Sequence, residues 1–337
     1  MDNKRVRIVD IAEELGVSTT TVSNVIHGKT KKISDETVKR VQQLLEKRQY
    51  IPSMAGILLA QNDSKIIGVV INDHEKYEGH TLEDPFISAS VNALAKEIQQ
   101  AGKFLMLKIS SKWDEIPKLA SMWNMEGMVL IGYCEQDYKK LREQMHIPFV
   151  VYDGYMESSG NLVNIQVDHF DGGVQVGRYL KNRGHRSVLC ISDNNICMDQ
   201  ERIMGLKSEI PNAELMVIPM EQQARSLFYR EHLEEIKKYT AVFAVSDHYA
   251  MEFIRFLKSV GVSVPEDISV IGFDNVRDSE KLVPALTTIK QDNRQRAALA
   301  VEMLGRLRKG DYTDKKVMLP VTLIERDSVG DVKMHKK

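Results

Sequence analysis

Between residues 18 and 27 the chain carries short polar side chains, Ser18, Thr19, Thr20, Thr21, Ser23, Asn24 and His27, interrupted by Val22, Val25 and Ile26 at helical spacing. With those three apolar residues turned inward, Thr19, Thr20, Ser23, Asn24 and His27 face outward, Thr20 and Asn24 one turn apart. Such a face could read the edges of base pairs. An Asn amide can pair bidentately with adenine, and a Thr methyl can pack on thymine. Lys29, Lys31 and Lys32 follow in a loop where a phosphate backbone could lie.

Neighbouring elements must hold that face in place. Ile8, Ile11, Ala12 and Leu15 form one stripe of a short first helix. Gly16 then permits a sharp turn, and Ser18 can cap the second helix. Ser34 caps a third, with Asp35 and Glu36 near its positive end and Val38, Val41, Leu44 and Leu45 on its buried side. Three short helices with a Gly-bearing turn describe a helix-turn-helix; the plain alternative is any small three-helix bundle.

The whole chain has 337 residues, 43% of them hydrophobic, and a net charge of −1. That length predicts two or three folding units, and the balance excludes a uniformly basic nucleic-acid coat. Residues 1–60 nevertheless hold ten Lys and Arg against seven Asp and Glu, +3, so the rest carries −4. Cys134, Cys190 and Cys197 are odd in number and contain no CxxC pair, which suits a reducing cytoplasm and neither a disulfide framework nor a zinc site. The charged start MDNKRVR predicts no secretory signal, and no apolar run approaches the ~20 residues of a membrane span. From Lys65 onward, buried-strand runs (Ile66–Ile71, Phe104–Ile109, Met128–Gly132, Phe149–Asp153, then Val163–Asp168, Ser187–Ser192, Leu215–Pro219, Ala241–Asp247, Ile268–Asp274) alternate with amphipathic helices. Two such cycles predict an α/β protein with two parallel sheets, each offering a ligand edge at the strands' carboxyl ends.

No GxSxG, HExxH, P-loop or GxGxxG occurs. The adjacent pairs Asp168-His169 and Asp247-His248 point to opposite faces of a strand end, so a structural or surface role is expected of them. His74, His80 and Asp84 could be a metal cluster, but without metal-ligand spacing they read as a solvated lid. No metal, cofactor or catalytic residue is expected.

The run IVDIAEELGVSTTTVSNVIHG, followed by ISDETVKRVQQLLEKRQYIPSMAGILLA, resembles the head of the lac-repressor family of bacterial transcription regulators. Ala12, Gly16, Val17, Ser18, Thr21, Val22, Ser23 and the Tyr50-x-Pro52 pair carry the likeness. It implies that Thr19, Thr20 and Asn24 read operator DNA, and that Ser53–Ala60 is a minor-groove hinge helix with Leu59 as its wedge and Ala55 and Gly56 as its close-packed face. Departures are Arg7, where the family has a capping Thr or Ser but from which a phosphate contact is expected, and Ser53 in place of Asn. Met54, Ile57 and Leu58 also make this hinge more apolar than most.

The body resembles the same family through DPFISASVNALAKEIQQAG, EGMVLIG, IPFVVYDG, DHFDGGVQVGRYLKNRGHRSVLCIS, VPEDISVIGFDN and ALTTIKQD. The resemblance implies a type I periplasmic-binding-protein-like pair of Rossmann-like subdomains with an effector in the cleft between them. The expected division is 1–52 for the helix-turn-helix head, 53–63 for hinge and linker, and 64–330 for the effector and dimerisation unit, with 331–337 a basic tail. Within that unit, subdomain one takes about 64–162 and 293–320, and subdomain two about 163–292 and 321–330. Matching positions place Asp84, Phe86, Asp153, Arg202, Ser246, Asp247, Asp274 and Gln291 at the effector. Carboxylates accept and a guanidinium donates bidentately, a set suited to vicinal hydroxyls. Gly154 and Tyr155 after Asp153, and the long loop Asn72–Glu83, depart from the family beside that pocket.

The reading is therefore a cytoplasmic, nucleoid-associated homodimeric regulator, most simply a repressor of carbohydrate-related genes. Its expected partners are a pseudo-palindromic operator and a sugar or sugar-like effector, with no membrane involved. The alternatives are a sugar- or nucleoside-processing α/β enzyme and a regulator responding to a purine or nucleoside.

Overall fold

The computed structural model describes residues 6–51, 64–133, 141, 143–154, 160, 162–311 and 316–332. It forms two compact units, 1–64 and 65–337. In the first, α1 (Ile8–Leu15), α2 (Thr19–Ile26) and α3 (Asp35–Lys47) enclose Ile11, Ala12, Val22, Val25, Val41 and Leu44. Gly16 ends α1 at φ 65°, a left-handed conformation that a residue with a Cβ adopts only at a cost. The Ser18 and Ser34 hydroxyls accept the Thr21 and Thr37 amides, so both expected caps form. Arg7 caps nothing with its side chain. Instead Asp10 accepts the Arg7 amide at 2.7 Å.

The second unit contains two six-stranded sheets with strand orders β11-β5-β4-β3-β1-β2 and β12-β10-β9-β8-β6-β7. In lobe one these strands are β1 (Ile66–Ile71), β2 (Phe104–Ile109), β3 (Gly127–Ile131), β4 (Phe149–Tyr152), β5 (Leu162–Val167) and β11 (Lys316–Leu319). The helices α4 (Pro85–Gln100) and α5 (Ile116–Met122) connect the first three of them. In lobe two the strands are β6 (Val188–Ser192), β7 (Glu214–Val217), β8 (Ala241–Ala244), β9 (Ser269–Asp274), β10 (Thr287–Lys290) and β12 (Thr322–Ile324). Among the described residues all pairings are parallel except β12 with β10. Central strands such as IIGVVI and VLCIS are buried throughout, as expected where helices cover both faces. Among the described residues no helix is long and apolar enough to cross a membrane.

One expected boundary is displaced. Leu162–Val167 pairs in register with β4 and β11, so it closes the sheet of lobe one instead of opening lobe two. The chain first crosses between lobes at Asp168, not at 162–163. Strand membership is fixed by pairing partners distant in sequence, which periodicity does not report. The other crossings follow Lys290 and Leu319. The helix Asn293–Arg308 returns to pack on β3, β4 and β5.

Lobe two is entered through α6 (His169–Asn182), which packs backbone to backbone on α7 (Cys197–Glu209). A Cβ on Gly173 would lie 2.1 Å from the Arg202 carbonyl, and one on Gly205 2.1 Å from that of Phe170. These glycines set the depth of the two helices that carry His169 and Arg202. Gly173→Ala or Gly205→Ala should destabilise the 65–337 unit by ~1–3 kcal/mol or more through overpacking. Gly305→Ala, on an exposed helix face with open space around it, should be neutral or slightly stabilising. Thermal unfolding of the three variants checks this; equal melting temperatures would remove the close-packing account.

Candidate functional site

On the head, Thr19 and Thr20 are exposed at the start of α2, while Ser23, Asn24 and His27 are half-buried. Ser18 and Thr21 spend hydroxyl capacity on the cap, their oxygens 2.9 Å apart. Lys31 and Lys32 are exposed beyond the helix, and Tyr50 packs on the head's core. Arg7 is exposed and its guanidinium meets Asp10 at 3.2 Å. Ser53, Ala55, Gly56 and Leu59, the expected hinge residues, lie outside the described residues.

Between the lobes a cavity of about 160 Å³ is walled by loops at the carboxyl ends of the strands. An apolar cavity of roughly 150 Å³ accepts a benzene ring, so one substituted ring fits here. Asp84, Phe86, Asp153, Arg202, Ser246 and Asp274 all line it. Asp84 caps α4 through Oδ1, accepting the Phe86 and Ile87 amides at 3.0 and 2.9 Å, with Pro85 at the favoured first helical position. Ser246 caps the helix Asp247–Ser259.

Two expected ligand residues are not at the surface of the cavity. Asp247 is fully buried, accepting the Thr288 hydroxyl and the Val276 amide at 2.9 Å. It shapes the turn after β9 and touches no cavity space. Gln291 stands behind Asp274 and donates to its Oδ1 at 2.6 Å. Conversely, the loop after β1 contributes Asn72, His74, Lys76 and Tyr77 to the wall. Asp193, Asn194, Asp199 and Tyr249, which residue spacing did not single out, also line it, as does His248, expected only in a structural or surface role. Asp193 and Asn194 immediately follow β6, and the strand-end rule could have found them. The His74, His80, Asp84 trio does not converge: His80 pairs with Glu83 at 2.8 Å, His74 accepts the Lys76 amide and Asp84 is a cap. Among the described residues no group of three His, Cys, Asp or Glu is placed to hold a metal.

Arg202 is the principal donor of the cleft. Its Nη1 donates to the Val245 carbonyl, its Nε to His169 Nδ1 at 3.2 Å, and its plane lies 3.8 Å over the Phe273 ring. Among the described residues Nη2 donates only to the Met198 sulfur, at 3.9 Å, a weak acceptor that a ligand oxygen could replace. Asp153 is held by Arg296 at 2.7 Å and approaches His169 Nε2 at 3.0 Å. Burial alone would raise the Asp153 pKa, but Arg296 and His169 pull it well below the usual carboxylate range. Asp274 is pushed up to about 7, chiefly by burial, against the pull of Arg202. Lys76 is held charged: burial works against its ammonium, and Tyr77, Asp193, Asp199 and Asp84 outweigh it. Asp153 at φ 54° and Asp274 at φ 124° both carry backbone strain.

Across the mouth the lobes touch where Glu78 Oε1 accepts the Gln222 amide at 2.6 Å. His248 also bridges there, 4.0 Å from Asp84 of lobe one and 3.6 Å from Glu252 of lobe two. The cavity thus combines aromatic walls, several carboxyl groups and the Arg202 guanidinium.

Residues 7–53 match the family model "Bacterial regulatory proteins, lacI family", and residues 178–329 match "Periplasmic binding protein-like domain". The HTH-type transcriptional repressor PurR of Edwardsiella ictaluri is 31% identical over 339 residues, 96% of this chain and 97% of that protein. PurR of Escherichia coli O139:H28 is 30% identical over 344 residues, with the same coverage. Among solved structures, the lac repressor dimer bound to operator and the anti-inducer ONPF is similar at TM-score 0.82 and 24% identity, covering 97% of this chain and all of that one. A complex of the transcriptional regulator CelR with cellobiose gives 0.69 at 20% identity, over 96% of this chain and 100% of that one. The fold expected from the sequence, a helix-turn-helix head before a periplasmic-binding-protein-like body, is shared with these structures.

Asp274 makes the folded state titrate. Its pKa is about 7 when folded against an ordinary 3.8, so between those values the folded state binds more protons than the unfolded one. Its stabilising contribution is complete below pH 3.8 and is lost as pH rises through 7. His169, held neutral by burial, works in the opposite sense, so the comparison is made with Asp274→Asn. The variant should gain stability relative to wild type steadily from pH 4 to pH 7.5 in urea unfolding. A pH-independent difference would show that Asp274 is an ordinary carboxylate.

Proposed function

The chain belongs to the lacI family of bacterial regulatory proteins, and we propose that it is a homodimeric repressor controlled by a small polyhydroxylated ring compound seated between its lobes. Its target is a pseudo-palindromic operator, and it acts in the cytoplasm at the nucleoid. The observation that carries the effector reading is the spare Arg202 Nη2 facing a ring-sized cavity together with Asp84 and Asp274. A guanidinium donor opposite carboxylate acceptors matches vicinal hydroxyls. Asp84, Asp193, Asp199 and Asp274 outnumber Lys76 and Arg202 around the cavity, since Asp153 is already matched by Arg296. That balance disfavours a phosphorylated ligand. Tyr77, Phe86 and Tyr249 supply flat walls, which also favour a second reading, a free purine base.

For DNA, the outward side of α2 supports readout by Thr19, Thr20 and Asn24, with Arg7, Lys31 and Lys32 on phosphates. Leu59 is proposed to prise open the central base step, at a cost of about a few kcal/mol repaid by the extra surface that the bend brings into contact. Two-fold pairing doubles the phosphate contacts of one small head and matches the symmetry of the operator.

A thermal-shift screen tests the effector. Free sugars or free purines should raise the melting temperature, a ligand at ~100 times its Kd adding ~2.7 kcal/mol, while the matching sugar phosphates should not. Stabilisation by phosphates alone would overturn the charge argument. With a hit in hand, operator affinity should change ~5- to 150-fold, reciprocally with effector affinity. Arg202→Ala should abolish that response and leave basal operator binding intact, as fluorescence anisotropy would report. Asn24→Ala should cost ~1–3 kcal/mol at one base position with little change in salt dependence. An unaltered base preference in a binding-site selection would show that this face does not read bases.

A further inference from the structure

We propose that His169 is a positioning residue that joins the effector arginine of lobe two to the buried ion pair of lobe one, and that the effector's occupancy is passed across the pivot through this imidazole. The inference rests on the effector reading above. Four side chains form a continuous buried line: Arg202 on α7, His169 at the start of α6, Asp153 at the end of β4 and Arg296 on the helix that returns to lobe one. Their relative exposures are 4%, 2%, 6% and 0%. The successive contacts are 3.2 Å (Arg202 Nε to His169 Nδ1), 3.0 Å (His169 Nε2 to Asp153 Oδ1) and 2.7 Å (Arg296 Nη2 to Asp153 Oδ2). Arg296 Nη2 also donates to the Ile165 carbonyl at 2.8 Å, anchoring the far end in β5.

The chemistry of the ring fixes its state. Arg202 can only donate, so Nδ1 must accept and the proton must sit on Nε2, facing Asp153. A neutral imidazole with one donor and one acceptor is therefore the only form that serves both neighbours. The Nε2 joint is close but poorly aligned, since Nε2 has no hydrogen bond of good geometry despite its 3.0 Å approach. A small rotation of the ring would align this joint. His169 also follows Asp168, where the chain first leaves lobe one, and its ring leans on Phe273, the residue under Arg202. A ligand oxygen that draws Arg202 toward the cavity must shift the acceptor Nδ1 and, through the rigid ring, the donor facing Asp153.

The first test needs no effector, so its failure is separable from failure of the effector reading. In the full chain with ¹⁵N-labelled histidine and arginine, His169 should show the Nε2–H tautomer at neutral pH. Asp153→Asn, a change in lobe one, should move the Arg202 Nε–H resonance in lobe two, and the movement should vanish in a His169→Phe background. An Nδ1–H tautomer, or an Arg202 response that persists with Phe at 169, overturns the proposal. The tautomer of wild type decides even where a variant fails to fold. The second test uses D-ribose, D-glucose and adenine as probes. A probe that stabilises wild type should still stabilise His169→Phe, but its ~5- to 150-fold effect on operator affinity should fall below about 2-fold. Unchanged coupling in that variant would refute the relay, whereas silence of every probe on wild type counts against the effector reading, and the tautomer and resonance shifts then decide the relay by themselves.

Discussion

The ion pair between Asp153 and Arg296 is the constraint on which the two-lobed body depends. Neither group can be left alone, because an unpaired charge at such depth costs several kcal/mol, and removing one partner of a buried pair typically costs about 3–5 kcal/mol. Arg296 belongs to the helix that returns after the second crossing, and Asp153 ends a strand formed before the first. Their pairing makes the late segment close the early sheet. Tyr152 stacks on the same guanidinium at 4.1 Å, so the charge is enclosed by a ring face as well as by its counter-ion. Around that point the backbone turns where the cleft needs it, with Asp153 held at positive φ.

A parallel arrangement repeats in lobe two with the opposite purpose. Arg202 is also buried and stacked, on Phe273, but its carboxylate neighbours stand off: Asp199 lies 3.9 Å away. Arg296 spends its Nη2 on Asp153 and the Ile165 carbonyl, whereas Arg202 spends Nη1 and Nε on Val245 and His169 and leaves Nη2 on the weakly accepting Met198 sulfur. The strained, partly protonated Asp274 behaves similarly, with one oxygen held by Gln291. Binding sites retain such incompletely satisfied groups because the ligand supplies the missing partner.

Much of this was legible from local pattern. The caps at Ser18 and Ser34, the turn at Gly16 and the inward set Val22, Val25 and Val41 are short-range features, and the head folds as its spacing predicts. Strand runs such as Ile66–Ile71 were equally readable, because full burial leaves a continuous apolar string. The strand 162–167 was readable as a strand but not as a member of lobe one, since its partners in β11 lie about 150 residues away along the chain. The crossing point moves with it, and so does the meaning of His169, which in sequence reads as a surface or structural neighbour of Asp168.

Asp247 and Asp274 draw the final distinction. Both stand beside strand ends of lobe two, both resemble ligand residues of the family, and burial raises both carboxyl groups. Only Asp274 opens on the cavity; Asp247 is sealed by Thr288 and the Val276 amide. The sequence alone determined the α/β alternation and the helical pattern of the head, because residue type and short-range spacing encode them, while the cleft residues were placed by the family resemblance. Tertiary structure alone decided which acids line the cavity and which hold the frame, because depth depends on neighbours brought from distant parts of the chain.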